Sequence, residues 1–280
     1  MSAPNAAAQV FPPQAQAVQH LIVTGVARSG TTSLAECLNS HPAVCVGIER
    51  FKFRFLLEEN YGQKLFEKKR FFDFRPKDTN LRPQLRPAWA PVYEAMEARW
   101  DDALVRGDKV PDLIPNLSAF LAANPTWRCI CTLRNLKDVA LSWQKRANRK
   151  GDAWPLTKDF AAGCESWSAQ MDTLMALLRA QPLLRQRILL VDYDRMYEDG
   201  SVVADNILRF LGLPDAPSYR ATFEGQRQFF ARRSGKETTV PEVHRAAYSA
   251  VDQTSARGLR REARLMAERW AALPLPVAAS

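Results

Sequence analysis

Short apolar runs that end in a polar residue and lead into helix-like segments recur along this chain, and each reads as a buried strand feeding a helix. His20-Leu-Ile-Val-Thr-Gly25 runs through a loop bounded by Gly25 and Gly30 into a helix that begins at Thr31. His41-Pro42 stops that helix, and Ala43 to Ile48 predicts a second short strand that ends at Glu49. Ala103-Leu-Val105 leads past Lys109 to an apolar helical run from Leu113 to Leu121. Trp127 to Leu133 predicts a further strand, followed by a helix over Arg134 to Arg146 in which Leu136, Val139, Ala140 and Trp143 share the face turned to the sheet. Arg187 to Asp192 is the last strand of this type, followed by an amphipathic helical segment through Leu211. Strands that alternate with helices predict an α/β fold around a parallel sheet.

The first of these junctions carries chemistry. Gly25 and Gly30 have the spacing of a phosphate loop, but Thr31 stands where a triphosphate-binding loop has its lysine, and the cation appears inside the loop as Arg28. Backbone N–H groups around Gly30 and at the start of the following helix favour an anion. A strand-to-helix turn that packs tightly for its own sake is the competing reading. A second anion site is predicted a hundred residues on. Arg134 ends a strand, Ser142 and Arg146 lie on one stripe of the next helix together with Asp138, and Asn135 with Asp138 forms an N-cap pair. Two cations and a hydroxyl suit a phosphate monoester.

Gly-Val-Ala-Arg-Ser-Gly-Thr-Thr followed by this Arg, Ser, Arg spacing resembles the sulfotransferases that use 3′-phosphoadenosine-5′-phosphosulfate (PAPS), most specifically over residues 20–49 and 127–146. The resemblance implies a three-layer P-loop-like fold, a central parallel sheet flanked by helices. It implies that Arg28, Ser29, Gly30, Thr31, Thr32 and Ser33 surround the 5′-phosphosulfate, and that Arg134, Ser142 and Arg146 grip the 3′-phosphate. Tyr193, in Val-Asp-Tyr-Asp, resembles the family's strand-end tyrosine near the nucleotide, with core packing as its other role. Arg232, Arg233 and Gly235 resemble a late Arg-Lys-Gly closing motif and read as a mobile loop over the phosphates, or as a basic exposed turn.

Catalytic roles follow from the same likeness. Glu49 occupies the place of a glutamate that follows the His-Pro helix stop in tyrosylprotein sulfotransferases, which implies a base for the acceptor's proton. Without that context it reads as a surface carboxylate paired with Arg50 or Lys52; Glu58 and Glu59 are the substitutes. Lys109, in Gly107-Asp-Lys-Val-Pro-Asp112, is similar to a family lysine that approaches the transferring group, and is otherwise a solvated turn lysine. The implied reaction is in-line attack of an acceptor hydroxyl on sulfur, with Glu49 taking the proton, Arg28 and Lys109 opposing negative charge, and adenosine 3′,5′-bisphosphate leaving. Asp192, at the end of an apolar strand, supports a rival, a nucleotide or small-metabolite kinase in which it would hold magnesium; the absent lysine at position 31 speaks against that.

Composition narrows the remaining choices. A chain of 280 residues with 46% hydrophobic content builds a sizeable core, and the phosphate motifs are spread too widely to be cut apart. We therefore expect a flexible tail over residues 1–18 and one sulfotransferase domain over residues 19–275, with a lid or acceptor-binding insertion around residues 50–100. The start of the chain lacks a secretory pattern and no apolar run spans a membrane, so no membrane association and a cytoplasmic, bacterial-type enzyme are expected. The net charge of +9 also fits a nucleic-acid-binding protein, with Lys64 to Arg75 as a basic aromatic patch, but no nucleic-acid fold signature accompanies it and PAPS explains the charge. Five cysteines and three histidines show no metal-ligand spacing, so no metal is expected, and the cysteines read as small buried hydrophobes. The acceptor is a carbohydrate, a small metabolite or a peptide tyrosine. Trp154 and Trp167 are candidates for a ring-binding surface, or for helix packing.

Overall fold

The computed structural model describes residues 18–151, 154–198, 201–234 and 239–277. Five strands, β1 (Gln19–Gly25), β2 (Val44–Ile48), β3 (Val105–Lys109), β4 (Arg128–Leu133) and β5 (Ile188–Asp192), form one sheet in the order β2-β3-β1-β4-β5. Every pairing is parallel. Successive strand residues point to opposite faces, yet β2 and most of β1, β3, β4 and β5 are buried throughout, so helices cover both faces and the fold is a three-layer P-loop-like α/β architecture.

The register sets the ends of the strands against one another. Lys109 pairs with both Val23 and Ile48, Gly25 pairs with Thr132, and Leu133 pairs with Asp192. The connection after β1 runs through α1 toward β2 and the one after β4 runs toward β5, in opposite directions from adjacent strands, which opens a crevice at their carboxyl edge, where open α/β sheets bind ligands.

Helix α1 (Thr31–Asn39) follows β1 and packs on β2. Residues 50–100 fold into α2 (Lys52–Leu56), α3 (Lys68–Phe72) and α4 (Ala90–Ala98) with two short 3-10 turns. Helix α5 (Leu117–Ala123) precedes β4, α6 (Leu136–Ala147) follows it, and α7 (Phe160–Ala180) packs along α6. After β5 come α8 (Ser201–Leu211), α9 (Pro217–Ser234), α10 (Arg245–Ser249) and α11 (Thr254–Ala271), the last against β5, α7 and α8. The expected helix after β5 begins later than its pattern suggested, because turns fill Tyr193 to Glu198. Likewise, the run from Leu113 splits into a 3-10 turn at Ile114–Asn116 and α5.

The segment over residues 50–100 is core rather than cover for much of its length. Phe51, Phe55, Phe66, Phe71, Tyr93 and Trp100 are buried and meet in tilted, stacked and edge-to-face contacts, the last as at the Phe51–Phe66 pair with centroids 5.4 Å apart. This spends the rings that the nucleic-acid reading needed for base stacking: Phe66 and Phe71 are core residues, and Lys68 is paired with Asp101 at 2.5 Å.

One buried ion cluster fastens the segment. Asp78, fully buried, accepts from Arg50 at 3.0 Å, Arg54 at 3.0 Å and Arg70 at 2.6 Å. Arg50, also fully buried, donates its remaining N–H groups to the carbonyls of Phe71 at 2.6 Å and Asp73 at 2.7 Å, and its guanidinium lies 4.2 Å from the centre of the Phe74 ring. Each charge is therefore compensated in place, the condition under which a buried ion pair is tolerable.

No helix among the described residues is long and apolar enough to cross a membrane. All five cysteines are buried free thiols, and burial pushes Cys131 up to about 12 and Cys164 up to about 11.

Burial alone would raise the Asp78 carboxyl, but bonds from Arg70, Arg50 and Arg54 outweigh it and hold the group at about 2. Its folded pKa lies below the ordinary 3.8, so its stabilisation is present above pH 3.8 and is lost as pH falls toward 2. Asp78→Asn leaves Arg50 buried without its counter-ion and is expected to lower the urea-unfolding free energy by about 3 kcal/mol. The variant's stability is also expected to depend less on pH across that acid window; an unchanged unfolding midpoint would show that the cluster adds nothing.

Candidate active site

The loop from β1 to α1 closes tightly because of what touches it. Gly30 adopts φ 95°, a left-handed conformation, and a Cβ there would lie 2.1 Å from the ring of Tyr193, so only glycine fits both demands. No side chain caps α1, and the N–H groups of Gly30, Thr31, Thr32 and Ser33 meet no acceptor among the described residues. These donors and the positive end of the helix dipole form an anion cradle. Ser29 is turned inward instead, its hydroxyl 2.6 Å from that of Thr132 on β4. Ser33 is likewise engaged, with Tyr197 at 2.6 Å and Gln226 at 3.0 Å. Thr31 is buried.

Arg28, itself left-handed at φ 78°, donates from Nε to the hydroxyl of Ser142 at 3.0 Å, while Arg134 donates to the Arg28 carbonyl at 3.0 Å. The two phosphate motifs, a hundred residues apart in sequence, are thus in direct contact. Asn135 caps α6 by accepting from the Asp138 N–H at 2.8 Å, as its sequence pattern indicated. Asp138, Ser142 and Arg146 line one side of the cleft, and the Arg146 guanidinium lies 5.3 Å from the Trp154 ring. Trp154 therefore belongs to the cleft, whereas Trp167 is buried and donates to the Arg134 carbonyl at 2.9 Å.

Glu49 follows β2 in a left-handed turn, φ 53°, with its N–H donating to the Lys109 carbonyl at 2.8 Å. Its carboxylate receives Lys109 at 3.0 Å and Lys52 at 2.9 Å. Burial disfavours its charge, but Lys109 and Lys52 together prevail and keep the carboxyl below the usual range. Arg50, the other neighbour considered for this pairing, turns away into the Asp78 cluster. Lys109 is a buried strand-end lysine rather than a solvated turn residue. Glu58 pairs with Arg54, and neither Glu58 nor Glu59 lines the cleft.

Several contributors carried no motif. Asp108 sends its two carboxylate oxygens to the backbone N–H groups of Arg50 at 2.9 Å and Phe51 at 2.8 Å. Asp108 and Lys109 thereby hold the Glu49 turn from both sides. Full burial pushes Asp108 up to about 7 against these bonds. Asp112, left-handed at φ 61°, accepts from the Ala27 N–H at 2.7 Å and from Gln170 at 2.9 Å. A polar residue inside an apolar strand, Thr132, and acids flanking a strand-end lysine were the available signals. Arg28, Glu49 and Asp112 are three of four non-glycine residues with positive φ among those described, so backbone strain gathers on this cleft.

Two expectations change. Phe229 to Ser234 is not a loop but the last turns of α9, which runs Pro217–Ser234 because its pattern stays helical through the two arginines. Phe229, Phe230 and Arg232 line the cleft from that helix; Gly235 lies outside the described residues, and for Arg233 only the helical backbone is described. Asp192 does not reach the cleft: β4 separates its strand from β1, and it faces Arg260 at 3.7 Å and the Asp194 N–H at 3.2 Å. A magnesium-holding role beside the loop has no support there. Among the described residues no group of three or more His, Cys, Asp or Glu is arranged to hold a metal ion.

The cleft has a volume of about 2120 Å³. A pocket for one small ligand is about 300–1,000 Å³, so two substrates fit side by side. Twelve lysines and arginines against four carboxylates line it among the described residues. Such a field attracts a polyanion.

No curated protein matches the chain. Among solved structures, the sulfotransferase domain of the Synechococcus PCC 7002 olefin synthase is similar at 17% identity, TM-score 0.46, covering 94% of this chain and 98% of that one. Sulfotransferase STF9 from Mycobacterium avium is similar at 15% identity and TM-score 0.47, covering 95% and 79%. Mouse sulfotransferase SULT7A1 complexed with PAP is similar at 13% identity and TM-score 0.43, covering 91% and 89%. The sulfotransferase family model matches residues 20–217, more than two thirds of the chain and the whole stretch that carries the anion cradle, Glu49, Lys109 and the Arg134 helix. By that match the chain belongs to the sulfotransferase family.

Proposed function

We propose that this sulfotransferase takes PAPS as donor, passes its sulfuryl group to an acceptor hydroxyl and releases adenosine 3′,5′-bisphosphate, as one domain over residues 19–275 working in the cytoplasm. The observation that carries this reading is the contact between the uncapped α1 loop and the Arg134, Ser142, Arg146 group through the Arg28–Ser142 bond. One doubly phosphorylated ligand spans both. The residues present suit such a ligand: unpaired backbone donors at Gly30 to Ser33 for the 5′ end, and two guanidinium groups with a hydroxyl for the 3′ end.

PAPS supplies the sulfuryl group and the phosphate leaving group. Glu49 accepts the proton of the acceptor hydroxyl as its oxygen bonds to sulfur and the bond from sulfur to the phosphate oxygen breaks. Its depressed pKa keeps it ionised at neutral pH, ready for that proton. Lys109 and Arg28 oppose the charge that grows on the sulfuryl and bridging oxygens. Lys109 is held for this by its bond to Glu49 and is itself almost fully buried. The sulfuryl group carries less charge than a phosphoryl group, so these cations serve where kinases use magnesium. Tyr193 closes the back of the loop by packing against Gly30, and Arg134 lies over its ring at 5.2 Å.

Transfer of labelled sulfate from PAPS to a mixed panel of phenols, alcohols and sugars is expected to persist in excess chelator. It is expected to fall by about a hundredfold or more in Glu49→Gln and Arg28→Ala. Full turnover by Glu49→Gln, or its abolition by chelator in the wild type, would refute the assigned roles. A second check uses pH. Lys52 helps to lower the Glu49 carboxyl, so Lys52→Met is expected to move the acid limb of kcat/KM to higher pH, from a position below 4.5 in the wild type. A limb that stays in place would mean that another group is the base.

A further inference from the structure

The acceptor wall of the cleft points to the chemistry of the acceptor, an inference that rests on the sulfuryl-transfer reading above. The segment between β2 and β3 contributes that wall, as Lys52, Leu56, Asn80, Leu81, Arg86 and Trp89. Lys52 is committed to Glu49 at 2.9 Å. Leu56, Leu81 and Trp89 are half-buried and give an apolar surface with one ring. Asn80 and the indole N–H of Trp89 are the neutral hydrogen-bonding groups there among the described residues. A polyol pressed against this wall would leave most of its hydroxyls without partners, at a cost that hydrogen-bonding sites avoid. A flat or apolar body loses nothing by the same contact.

Arg86 adds a charge to that surface. It sits at the start of the 3-10 turn Pro87–Trp89, where its carbonyl accepts from the Trp89 N–H at 2.9 Å. Its exposed side chain makes no hydrogen bond or ion pair among the described residues. The carboxylates of the cleft among the described residues are engaged elsewhere and none pairs with it: Glu49 and Asp138 face lysines and Arg134, and Asp112 and Glu36 accept from the neutral donors Ala27, Gln170 and Gln226. The wall is also rigid before any ligand arrives, because Asp78 ties the chain just ahead of Asn80 to Arg50, Arg54 and Arg70.

We propose that the acceptor is a small amphipathic hydroxyl compound, with an aromatic or apolar body that lies on Trp89, Leu81 and Leu56 and an anionic substituent that Arg86 receives, while its hydroxyl meets Glu49. Charge selects the acceptor and the apolar wall orients it.

The test compares three phenols that differ in the charge of one side arm, para-hydroxyphenylacetate, para-hydroxyphenylethanol and para-hydroxyphenylethylamine, with a methyl glucoside as the polyol. The wild type is expected to rank kcat/KM as anion, then neutral phenol, then cation, with about tenfold or more between the ends, and to use the glucoside least. Arg86→Ala is expected to bring the ratio of anion to cation within about twofold, Arg86→Glu to invert it, and Trp89→Ala to raise KM for all three phenols. A flat wild-type series, a ratio unmoved in Arg86→Ala, or preference for the glucoside would overturn the proposal. Calorimetry with adenosine 3′,5′-bisphosphate separates the two levels. Binding of the bisphosphate without transfer to any phenol overturns the acceptor class alone, and no binding overturns the donor reading together with it.

Discussion

Five strands that run the same way must end along the same edge, and the site depends on that constraint. Register places Lys109 level with the end of β2, so a lysine and a glutamate sixty residues apart in sequence meet at 3.0 Å. The same alignment sets Gly25 beside Thr132 and brings Tyr193 over Gly30. A slip of one residue in any pairing would turn these side chains to the opposite face. The chemistry is therefore built from strand ends whose mutual position is fixed by backbone hydrogen bonds, more rigidly than a set of loops could fix it.

Around that edge the chain holds unfavourable conformations in place. Left-handed backbone at Arg28, Glu49 and Asp112 costs on the order of 1 kcal/mol at each residue. Each is over-determined by partners from distant segments: Arg28 by Ser142 and Arg134, Glu49 by Lys109, and Asp112 by Ala27 and Gln170. The glutamate turn is gripped twice, because Asp108 binds the two N–H groups that follow it. Pre-positioned groups need no reorganisation when charge shifts during a reaction.

The segment between β2 and β3 shows how one stretch serves two ends. Its buried rings extend the hydrophobic core, and the Asp78 cluster locks it. Its outer residues, from Lys52 to Trp89, are left to shape one wall of the cleft. Of the rings between Lys64 and Arg75, Phe66 and Phe71 are thus inside and Phe72 and Phe74 half-buried, while Arg70 and Lys68 between them carry their charges to Asp78 and Asp101.

What the sequence determined by itself is local. Apolar runs and breakers located β1, β2, β4 and β5 to within a residue or two, whereas the apolar stretch Ala103 to Val105 meets β3 only at Val105 because Arg106, Gly107, Asp108 and Lys109 carry no apolar pattern. The Gly25 to Gly30 spacing, the Asn135 cap and the Asp138, Ser142, Arg146 stripe after Arg134 were legible because each depends on residues within a few turns of one another. Tertiary structure decided everything that joins distant segments: that Lys109 is buried against Glu49, that Arg50 serves Asp78 instead, that Asp108 and Asp112 brace the site, and that Asp192 stands apart from it. Periodicity also could not tell a closing loop from the end of α9, since arginines and phenylalanines suit both. The physical reason is that a charge finds its partner through space, and sequence spacing records only the partners that lie on the same helix or turn.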